Sequence, residues 1–400
     1  MIEYDPFSED VMRDPQPIYA RLREEAPCYH LPKWDAYALS RFEDVWQASM
    51  DADSYTTTLG TTSSQLLTRV QPPSPMINLM DPPEHTQLRS RIARFFTPGT
   101  VRKLEARIQG FVDEAFAPFL DREQGDLFND FAARVSVKVA CLANGFPMED
   151  AEMLNRLVWR FFGREEGVEG MTQDGLAAMG EMFGYFAELI RKRRAAGVAD
   201  GSVIDVLLDA EVGGRRFTDE ECGSHLSMFL IGGSETFPKV FSSAVYRLWQ
   251  HPEQRAECVR DPGLLPGAFQ ETLRFDMPTQ FLMRTLKQDV TLHGVTMRAG
   301  RPVMFLYPSA NRDQREFERP DVFDIHRNPP RILSFGHGIH ACIGQHYAKM
   351  EGKLCLAKIL AHMPEYEVEE ARLSRIRTEF VQGWETMPVR WSRQPSGRQS

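Results

Sequence analysis

The sequence predicts a mainly α-helical fold with a smaller β part. Apolar residues recur at helical spacing along most of the 400 residues, whereas strand-like stretches are short. They lie near the N-terminus, at about 285–310 and close to the C-terminus, and no regular alternation of strands and helices supports a doubly wound parallel sheet. We expect one domain over residues 1–391 and a disordered polar tail at 392–400.

Individual elements are predicted from their starts and their apolar faces. The stretch DPQPIYARLREEAP predicts a helix that begins at proline, and TPGTVRKLEARIQGFVDEAFAPFL and LAAMGEMFGYFAELIRKRRAAG predict long amphipathic helices. The stretch from Thr218 to Pro252 predicts one helix of about 35 residues, and its apolar middle predicts burial. Strands are predicted within YHLPKWDAYALS, VTLHGVTMRAGRPVMFLYP and the final VRW.

Composition and charge exclude several classes of protein. The content of 42% hydrophobic and 26% charged residues is typical of a soluble globular chain, and the net charge of −9 argues against nucleic-acid binding. No signal-peptide pattern opens the chain, and its apolar runs are too short to span a membrane. The six cysteines are widely and irregularly spaced without a CxxC pair, which favours a reducing compartment, so we expect a cytoplasmic protein.

One cysteine lies in a glycine-rich loop directly before a helix-forming run. Gly336 and Gly338 permit a tight turn, Cys342 follows, and the helical pattern begins near Gln345. A thiolate is a soft metal ligand that can hold haem iron, and backbone N–H groups at a helix N-terminus favour an anion. Two other interpretations remain open here. Cys342 is a buried structural cysteine, or it binds zinc with histidines of the same stretch, namely His337, His340 and His346.

The stretch FGHGIHACIG, residues 335–344, resembles the haem-binding loop of the cytochrome P-450 family, whose pattern is F-x-x-G-x-H/R-x-C-x-G. The resemblance implies that haem b is held by the Cys342 thiolate. It also implies the P-450 fold, in which a long central helix lies over the haem and the cysteine loop lies beneath it. Further residues of the loop would contact the cofactor, namely Phe335, Gly336, His340 and Gly344.

A second motif interrupts the long buried helix. Two glycines and a threonine are costly in a helix interior, and Pro238 removes the N–H that the carbonyl of Ser234 would accept, so the helix should open there. GGSET, residues 232–236, resembles the family's oxygen-binding stretch A/G-G-x-D/E-T. The resemblance implies that Gly232 and Gly233 lie against the haem, that Thr236 hydrogen-bonds dioxygen, and that Glu235 relays protons from solvent.

Glu271 and Arg274 are spaced to pair on one helix face and resemble the family's buried E-x-x-R motif. Many members complete this pair with a third residue, an arginine, at a position where this chain has Val322. Arg319 or Arg327 substitutes for it, or the pair stands alone. The resemblance further implies that basic side chains clamp the haem propionates, as charge-assisted hydrogen bonds to carboxylates require. These residues are His85, Arg89, Arg284 and His340.

The resemblance implies a monooxygenase of the soluble bacterial type, which inserts one atom of dioxygen into an organic substrate and reduces the other to water. A separate ferredoxin or flavodoxin would supply electrons, because no flavin or iron–sulfur segment is present in the sequence. An acidic carrier of this kind would dock over basic residues on the cysteine side: Arg91, Arg94, Arg102, Lys103 and Lys349. A peroxygenase that uses peroxide, and a haem-thiolate sensor without turnover, are the alternatives.

The substrate pocket is predicted by the same resemblance to be apolar, which favours a lipophilic terpenoid, steroid, fatty acid or aromatic compound. The loop at residues 55–80 would form part of its wall. The side chains expected around the substrate are Phe162, Met182, Phe183, Phe229, Ile231, Gly232, Thr236, Phe281, Leu282, Val381 and Trp384.

Overall fold

Helices form most of the chain, as the sequence predicts. The structure is a computed structural model that describes residues 2–72, 74, 76–197 and 199–392. The helices found there are α1 Glu9–Arg13, α2 Gln16–Glu25, α3 Phe42–Met50, α4 Ser63–Leu66, α5 Glu84–Ile92, α6 Pro98–Lys103, α7 Glu105–Phe116, α8 Ala133–Asn144, α9 Ala151–Phe162, α10 Gln173–Ala196, α11 Val203–Asp209, α12 Asp219–Ser234, α13 Thr236–Gln250, α14 Pro252–Arg260, α15 Leu265–Phe275, α16 Tyr307–Ala310 and α17 Gln345–His362.

The strands form a smaller part, which confirms the predicted fold class. They are β1 Cys28–Leu31, β2 Ala36–Leu39, β3 Tyr55–Thr56, β4 Gln124–Asp126, β5 Glu211–Val212, β6 Arg215–Arg216, β7 Phe281–Leu286, β8 Val290–Leu292, β9 Val295–Met297, β10 Pro302–Leu306, β11 Glu367–Val368 and β12 Pro388–Arg390. A five-stranded sheet has the order β1-β2-β10-β7-β3, with β2 and β10 parallel and the other neighbours antiparallel. Strand β7 was not among the predicted strands.

The largest buried core surrounds α12 and α13. Helix α12 packs against α8 and α10, and α13 packs against α15 and α17. Buried side chains such as Leu226, Leu230, Phe241 and Leu248 carry these contacts. The apolar middle of the predicted long helix is therefore buried, as its sequence indicates.

Two predicted helices are each two helices in the structure. The stretch from Thr218 to Pro252 is divided at Glu235, because Pro238 offers no N–H to the carbonyl of Ser234. The amphipathic stretch near residue 100 is divided at Leu104, whose N–H bonds to the carbonyl of Val101, three residues back, at 3.0 Å. This tighter turn ends α6, and α7 begins at the next residue.

Two further expectations concern the chain ends and membranes. The predicted tail, apart from its first residue, lies outside the described residues. Within the part that is described, no helix has the length and hydropathy needed to cross a bilayer.

Candidate active site

A cavity of about 400 Å³ lies between α12 and the cysteine loop. The loop supplies Phe335, His340 and Cys342 to one wall, and α12 supplies Phe229 and Gly232 to another. The remaining walls come from the segment around α4, from α8 and α9, and from β7. The arrangement of a cysteine loop facing the central helix is the one that the sequence predicts.

The loop geometry explains its glycines. Gly336 and Gly338 have φ of 66° and 70°, in the left-handed region that favours glycine. At Gly338 a Cβ atom would lie 2.3 Å from the carbonyl oxygen of Ser49, so no larger residue fits against α3. The Cys342 N–H closes the loop by donating to the carbonyl of Phe335 at 2.7 Å.

The Cys342 side chain lies deep in the protein but is open to the interior of the cavity. Burial raises the pKa of its thiol. The backbone N–H of Gly344, the Arg89 guanidinium and the backbone N–H of Gln345 oppose that rise, because each stabilises the thiolate. Since α17 begins at Gln345, its N-terminus faces the sulfur. A cation that binds the sulfur would complete this stabilisation.

The histidines around Cys342 point to different neighbours. His337 stacks on Trp46 with 3.5 Å between ring centroids, whereas His340 lies against His85 at 4.3 Å. No group of three or more His, Cys, Asp or Glu side chains in the described part of the chain is placed to hold a metal ion. The zinc interpretation therefore has no support in the structure.

Basic side chains form a buried corner of the cavity, where Asp81 acts on His85 and Arg284 without forming a salt bridge to either. Both ring nitrogens of His85 are buried and have no hydrogen-bond partner among the described residues. Arg284 donates to the backbone carbonyl of Met283, and Arg89 donates to that of Ala341, but neither forms a salt bridge with a carboxylate in the described part of the chain. Burial lowers the pKa of His340 to about 2, and nearby cations, of which Arg284 has the largest effect, contribute to the shift. Burial and the Arg89 guanidinium lower the pKa of His85 to about 4. Buried cations need a counter-charge. Two propionates on a flat cofactor fit this corner, so the residues present fit haem.

The interruption between α12 and α13 opens onto the cavity. Gly232, Gly233, Glu235 and Thr236 all lie in its wall. A Cβ at Gly233 would be 3.0 Å from the Cβ of Ala140, so this glycine allows α12 to approach α8. Its carbonyl, which a regular helix would use internally, accepts a hydrogen bond from the Ser136 hydroxyl at 2.8 Å.

Glu235 lies between this cavity and a second one. Its side chain is 3% exposed and forms an ion pair with Lys239, one turn further along α13. Burial raises the pKa of Glu235, and the Lys239 ammonium opposes that rise. The second cavity has a volume of about 220 Å³, and its wall includes Lys239, Asn129 and the exposed residue Glu385. Glu235 thus links the main cavity to a space that approaches the surface.

A buried ion network anchors the segment that precedes the cysteine loop. Arg274 is fully buried and donates to both oxygens of Glu271 at 2.8 and 2.7 Å. Arg327 donates its Nε to Glu271 at 3.2 Å, so this arginine occupies the third place in the network. Val322 contributes its backbone carbonyl, which accepts from Arg274 and Arg327. Of the alternatives that the sequence left open, the structure selects Arg327.

The predicted pocket residues divide into two groups. Phe162, Phe183, Phe229, Ile231 and Leu282 lie in the cavity wall.

Phe281, Val381, Trp384 and Met182 lie away from the cavity wall, and the prediction is corrected for them. Phe281 neighbours Leu282 on β7, so it points to the opposite face of the sheet, into a core with Tyr19 and Leu22. Val381 and Met182 are buried in the main core. Trp384 packs against Tyr246, with 4.9 Å between ring centroids.

The sequence analysis singled out neither Arg164 nor Glu379 in the wall, and it named Ser63 only as part of the predicted wall segment 55–80. Arg164 and Glu379 form a buried ion pair, and the Ser63 hydroxyl donates to Glu379 at 2.8 Å. They come from segments far apart in the chain, and no local pattern marks them.

Comparisons with known proteins agree with this geometry. The family described as Cytochrome P450 matches residues 263–383. A putative cytochrome P450 123 of Mycobacterium tuberculosis is 33% identical over 389 residues, 96% of each chain. A vitamin D(3) 25-hydroxylase of Pseudonocardia autotrophica is 33% identical over 395 residues, 97% of this chain and 96% of that protein. A solved structure of a P450 EryK mutant with erythromycin B superposes with a TM-score of 0.86 at 26% identity, covering 97% and 99% of the two chains.

The fold, the cavity and these similarities define a haem-thiolate oxygenase class, and the chain belongs to the cytochrome P450 family. It is a P450 monooxygenase that hydroxylates organic substrates and uses haem b ligated by a cysteine thiolate. Such an enzyme takes dioxygen, a lipophilic substrate and electrons from a redox partner.

Proposed function

We propose that this P450 hydroxylates a lipophilic small molecule of the terpenoid, steroid, fatty acid or aromatic type, with Cys342 as the iron ligand. The observation that carries the proposal is the open Cys342 sulfur at the N-terminus of α17, across a largely apolar cavity from the α12–α13 interruption. A named relative hydroxylates vitamin D(3), which is consistent with a lipophilic substrate. In this proposal His85, Arg89, Arg284 and His340 hold the propionates, because all four line the cavity and none forms a salt bridge with the described residues.

Haem, when bound, supplies dioxygen binding and cleavage of the O–O bond. The side chains of the chain bind the substrate and deliver protons. Thr236 lines the cavity and its hydroxyl can pass a proton, while Glu235 can take protons from the second cavity beside Lys239. Burial raises the pKa of Glu235, which favours the protonated form that a proton relay requires.

Replacement of Thr236 by Ala tests proton delivery. We expect Thr236→Ala to retain haem and bind substrate, but to yield about tenfold less product per electron pair, with the balance released as hydrogen peroxide. The measurement compares product formed, peroxide released and NADH consumed.

Ser234→Ala is the matched control, because Ser234 is a neighbouring hydroxyl that bonds to the carbonyl of Leu230 inside α12. It should keep the parent coupling. Full coupling in Thr236→Ala would contradict the role of this hydroxyl. Efficient peroxide-driven turnover without any dioxygen-driven turnover in the parent would favour the peroxygenase alternative, and binding without turnover would favour the sensor.

We also propose that the electron donor is an acidic ferredoxin or flavodoxin that docks on a basic face. This face consists of Arg91, Arg94, Arg102, Lys103 and Lys349, all exposed. None of the five forms a salt bridge with the described residues, so their charges are available to a partner. Lys349 also covers Phe335 of the cysteine loop, with its Nζ 5.5 Å from the ring centroid.

Charge reversal on this face should weaken electron transfer. The double variant Arg94→Glu and Lys349→Glu is expected to raise the KM for an acidic [2Fe–2S] ferredoxin about tenfold, with a weaker dependence on salt. Peroxide-supported turnover, which needs no partner, should stay at the parent level. Lys192→Glu, at an exposed position on α10, serves as the control. An unchanged KM in the double variant would place the docking face elsewhere.

A further inference from the structure

An ion pair is buried in the wall of the otherwise largely apolar cavity. The side chains of Arg164 and Glu379 are 12% and 1% exposed. Arg164 donates Nε to Oε2 of Glu379 at 3.2 Å and Nη2 to Oε1 at 3.3 Å, and Ser63 donates to Oε1 at 2.8 Å. All three residues line the same cavity as Cys342. We call these three residues the polar subsite.

The hydrogen bonds of the polar subsite leave one donor and one acceptor available. Arg164 uses Nη1 for the carbonyls of Phe162 and Gly163, at 3.3 and 3.0 Å. A guanidinium has five N–H groups and a carboxylate has about four acceptor positions. One N–H on Nη2 and one acceptor position on Oε2 therefore have no partner in the described structure. A hydroxyl group, which both donates and accepts, matches such a pair.

A second, independent hydrogen-bond acceptor lies in the wall of the same cavity. The Oδ1 atom of Asn78 is buried and has no hydrogen-bond partner in the part of the chain that the structure describes. The same side chain donates Nδ2 to the hydroxyl of Thr61 at 3.0 Å, two residues before Ser63, and both Asn78 and Thr61 line the cavity. A buried acceptor without a donor is costly unless a ligand or water supplies one.

The residues around the polar subsite determine which substrates can bind there. Phe162, two residues before Arg164, stacks on Phe380, which follows Glu379, with 6.0 Å between ring centroids, so apolar surface accompanies the ion pair. A lipophilic substrate that displaces water from the cavity desolvates the ion pair, and this is costly unless the substrate replaces the lost hydrogen bonds. A ligand carboxylate would compete with Glu379 for Arg164 and would be repelled by the Glu379 carboxylate. A ligand ammonium group would be repelled by the Arg164 guanidinium.

We propose that the substrate is a neutral lipophile with a hydroxyl group, which the polar subsite binds through Arg164 and Glu379. This inference rests on the proposed function and narrows it, because free fatty acids become poor substrates while hydroxylated terpenoids and steroids remain. Arg164 and Glu379 act here as residues that determine specificity.

The test uses three ligands with one alkyl chain and different end groups: dodecan-1-ol, its methyl ether and dodecanoate at neutral pH. Binding to the haem-loaded protein is measured from the shift of the ferric Soret band and, independently, from the ligand-induced rise in Tm. In the parent, dodecan-1-ol should bind at least about tenfold more tightly than either of the others. Equal affinities for all three ligands would overturn the proposal.

Two variants change the charge of the polar subsite in opposite directions. Glu379→Gln leaves the Arg164 charge unpaired, so dodecanoate should now bind more tightly than dodecan-1-ol. Arg164→Gln leaves the carboxylate unpaired, so dodecanoate should bind still more weakly than in the parent. Arg160→Gln, which alters an exposed ion pair on α9, the helix that ends two residues before Arg164, should keep the parent order.

If the ion pair only supports the structure, Glu379→Gln should loosen the cavity wall. The affinities for all three ligands should then fall by the same factor. That outcome would contradict the proposal. If Glu379→Gln does not fold, Arg164→Gln and the parent order still decide the question. The carbon monoxide spectrum of the reduced parent tests the haem function separately, so a failure of the inference is distinguishable from a failure of the proposed function.

Discussion

Cys342→Ser is expected to abolish the strongly red-shifted Soret band that the reduced parent protein should show with carbon monoxide. The cause is the loss of the thiolate, because a serine hydroxyl is neither anionic at neutral pH nor soft enough to hold the iron in the same way. The groups that oppose the rise in the pKa of the thiol, namely the Gly344 and Gln345 N–H groups and Arg89, stabilise a negative charge that the variant would no longer carry. The measurement is the difference spectrum of dithionite-reduced protein with and without carbon monoxide.

Cys355→Ala provides the matched control for this spectrum. Cys355 lies on α17, the helix that follows the cysteine loop, but it is buried in the main core and does not line the cavity. Its variant should show the parent band. A red-shifted band that persists in Cys342→Ser would remove Cys342 as the ligand, and a histidine-type band in the parent would show that the thiolate does not bind the iron.

The parts of the site that could be predicted are those with a local physical reason. The cysteine loop needs two left-handed glycines and a helix start, and all of these lie within ten residues of Cys342. The interruption near Glu235 could be predicted from Pro238 and the glycines before it, because a missing N–H acts on its own helical turn. Such requirements are visible in a short stretch of sequence.

Residues that meet only through the fold could not be predicted in the same way. Ser63 and Glu379 are separated by 316 positions, and Arg164 and Glu379 by 215, so their contact depends on how distant segments pack. The side-chain direction on β7 is a similar case. Without the strand register, Phe281 and Leu282 are equally plausible pocket residues, although only Leu282 lines the cavity.

The third member of the buried ion network illustrates the same limit. Arg319 and Arg327 were both candidates, since each lies a few residues from Val322. The structure places the Arg319 backbone at φ 44°, and its carbonyl accepts a hydrogen bond from Arg327. Arg327 is thereby fixed with its Nε towards Glu271. The turn geometry, rather than the spacing, decides which arginine pairs.

Glu271→Ala should therefore remove the centre of three charge-assisted contacts and yield little folded, haem-loaded protein. The Glu271 carboxylate accepts from Arg274, from Arg327 and from the backbone N–H of Asp324 at 3.1 Å. Its loss leaves the fully buried Arg274 without a counter-charge, which costs about 3–5 kcal/mol. Since the whole free energy of unfolding of a domain is about 5–15 kcal/mol, the loss is a large fraction of it. The ratio of haem to protein absorbance and the urea midpoint measure the effect.

Matched variants separate the buried network from ordinary surface pairing. Glu24→Ala breaks an exposed pair with Arg315 and should cost at most about 1 kcal/mol. Arg327→Gln should lower the urea midpoint more than Arg319→Gln, because only Arg327 donates its side chain to Glu271. A stable, fully loaded Glu271→Ala protein would show that the loop is held by packing alone. If one buried carboxylate anchors the cofactor loop, the urea midpoint should fall most in Glu271→Ala, less in Arg327→Gln and least in Glu24→Ala.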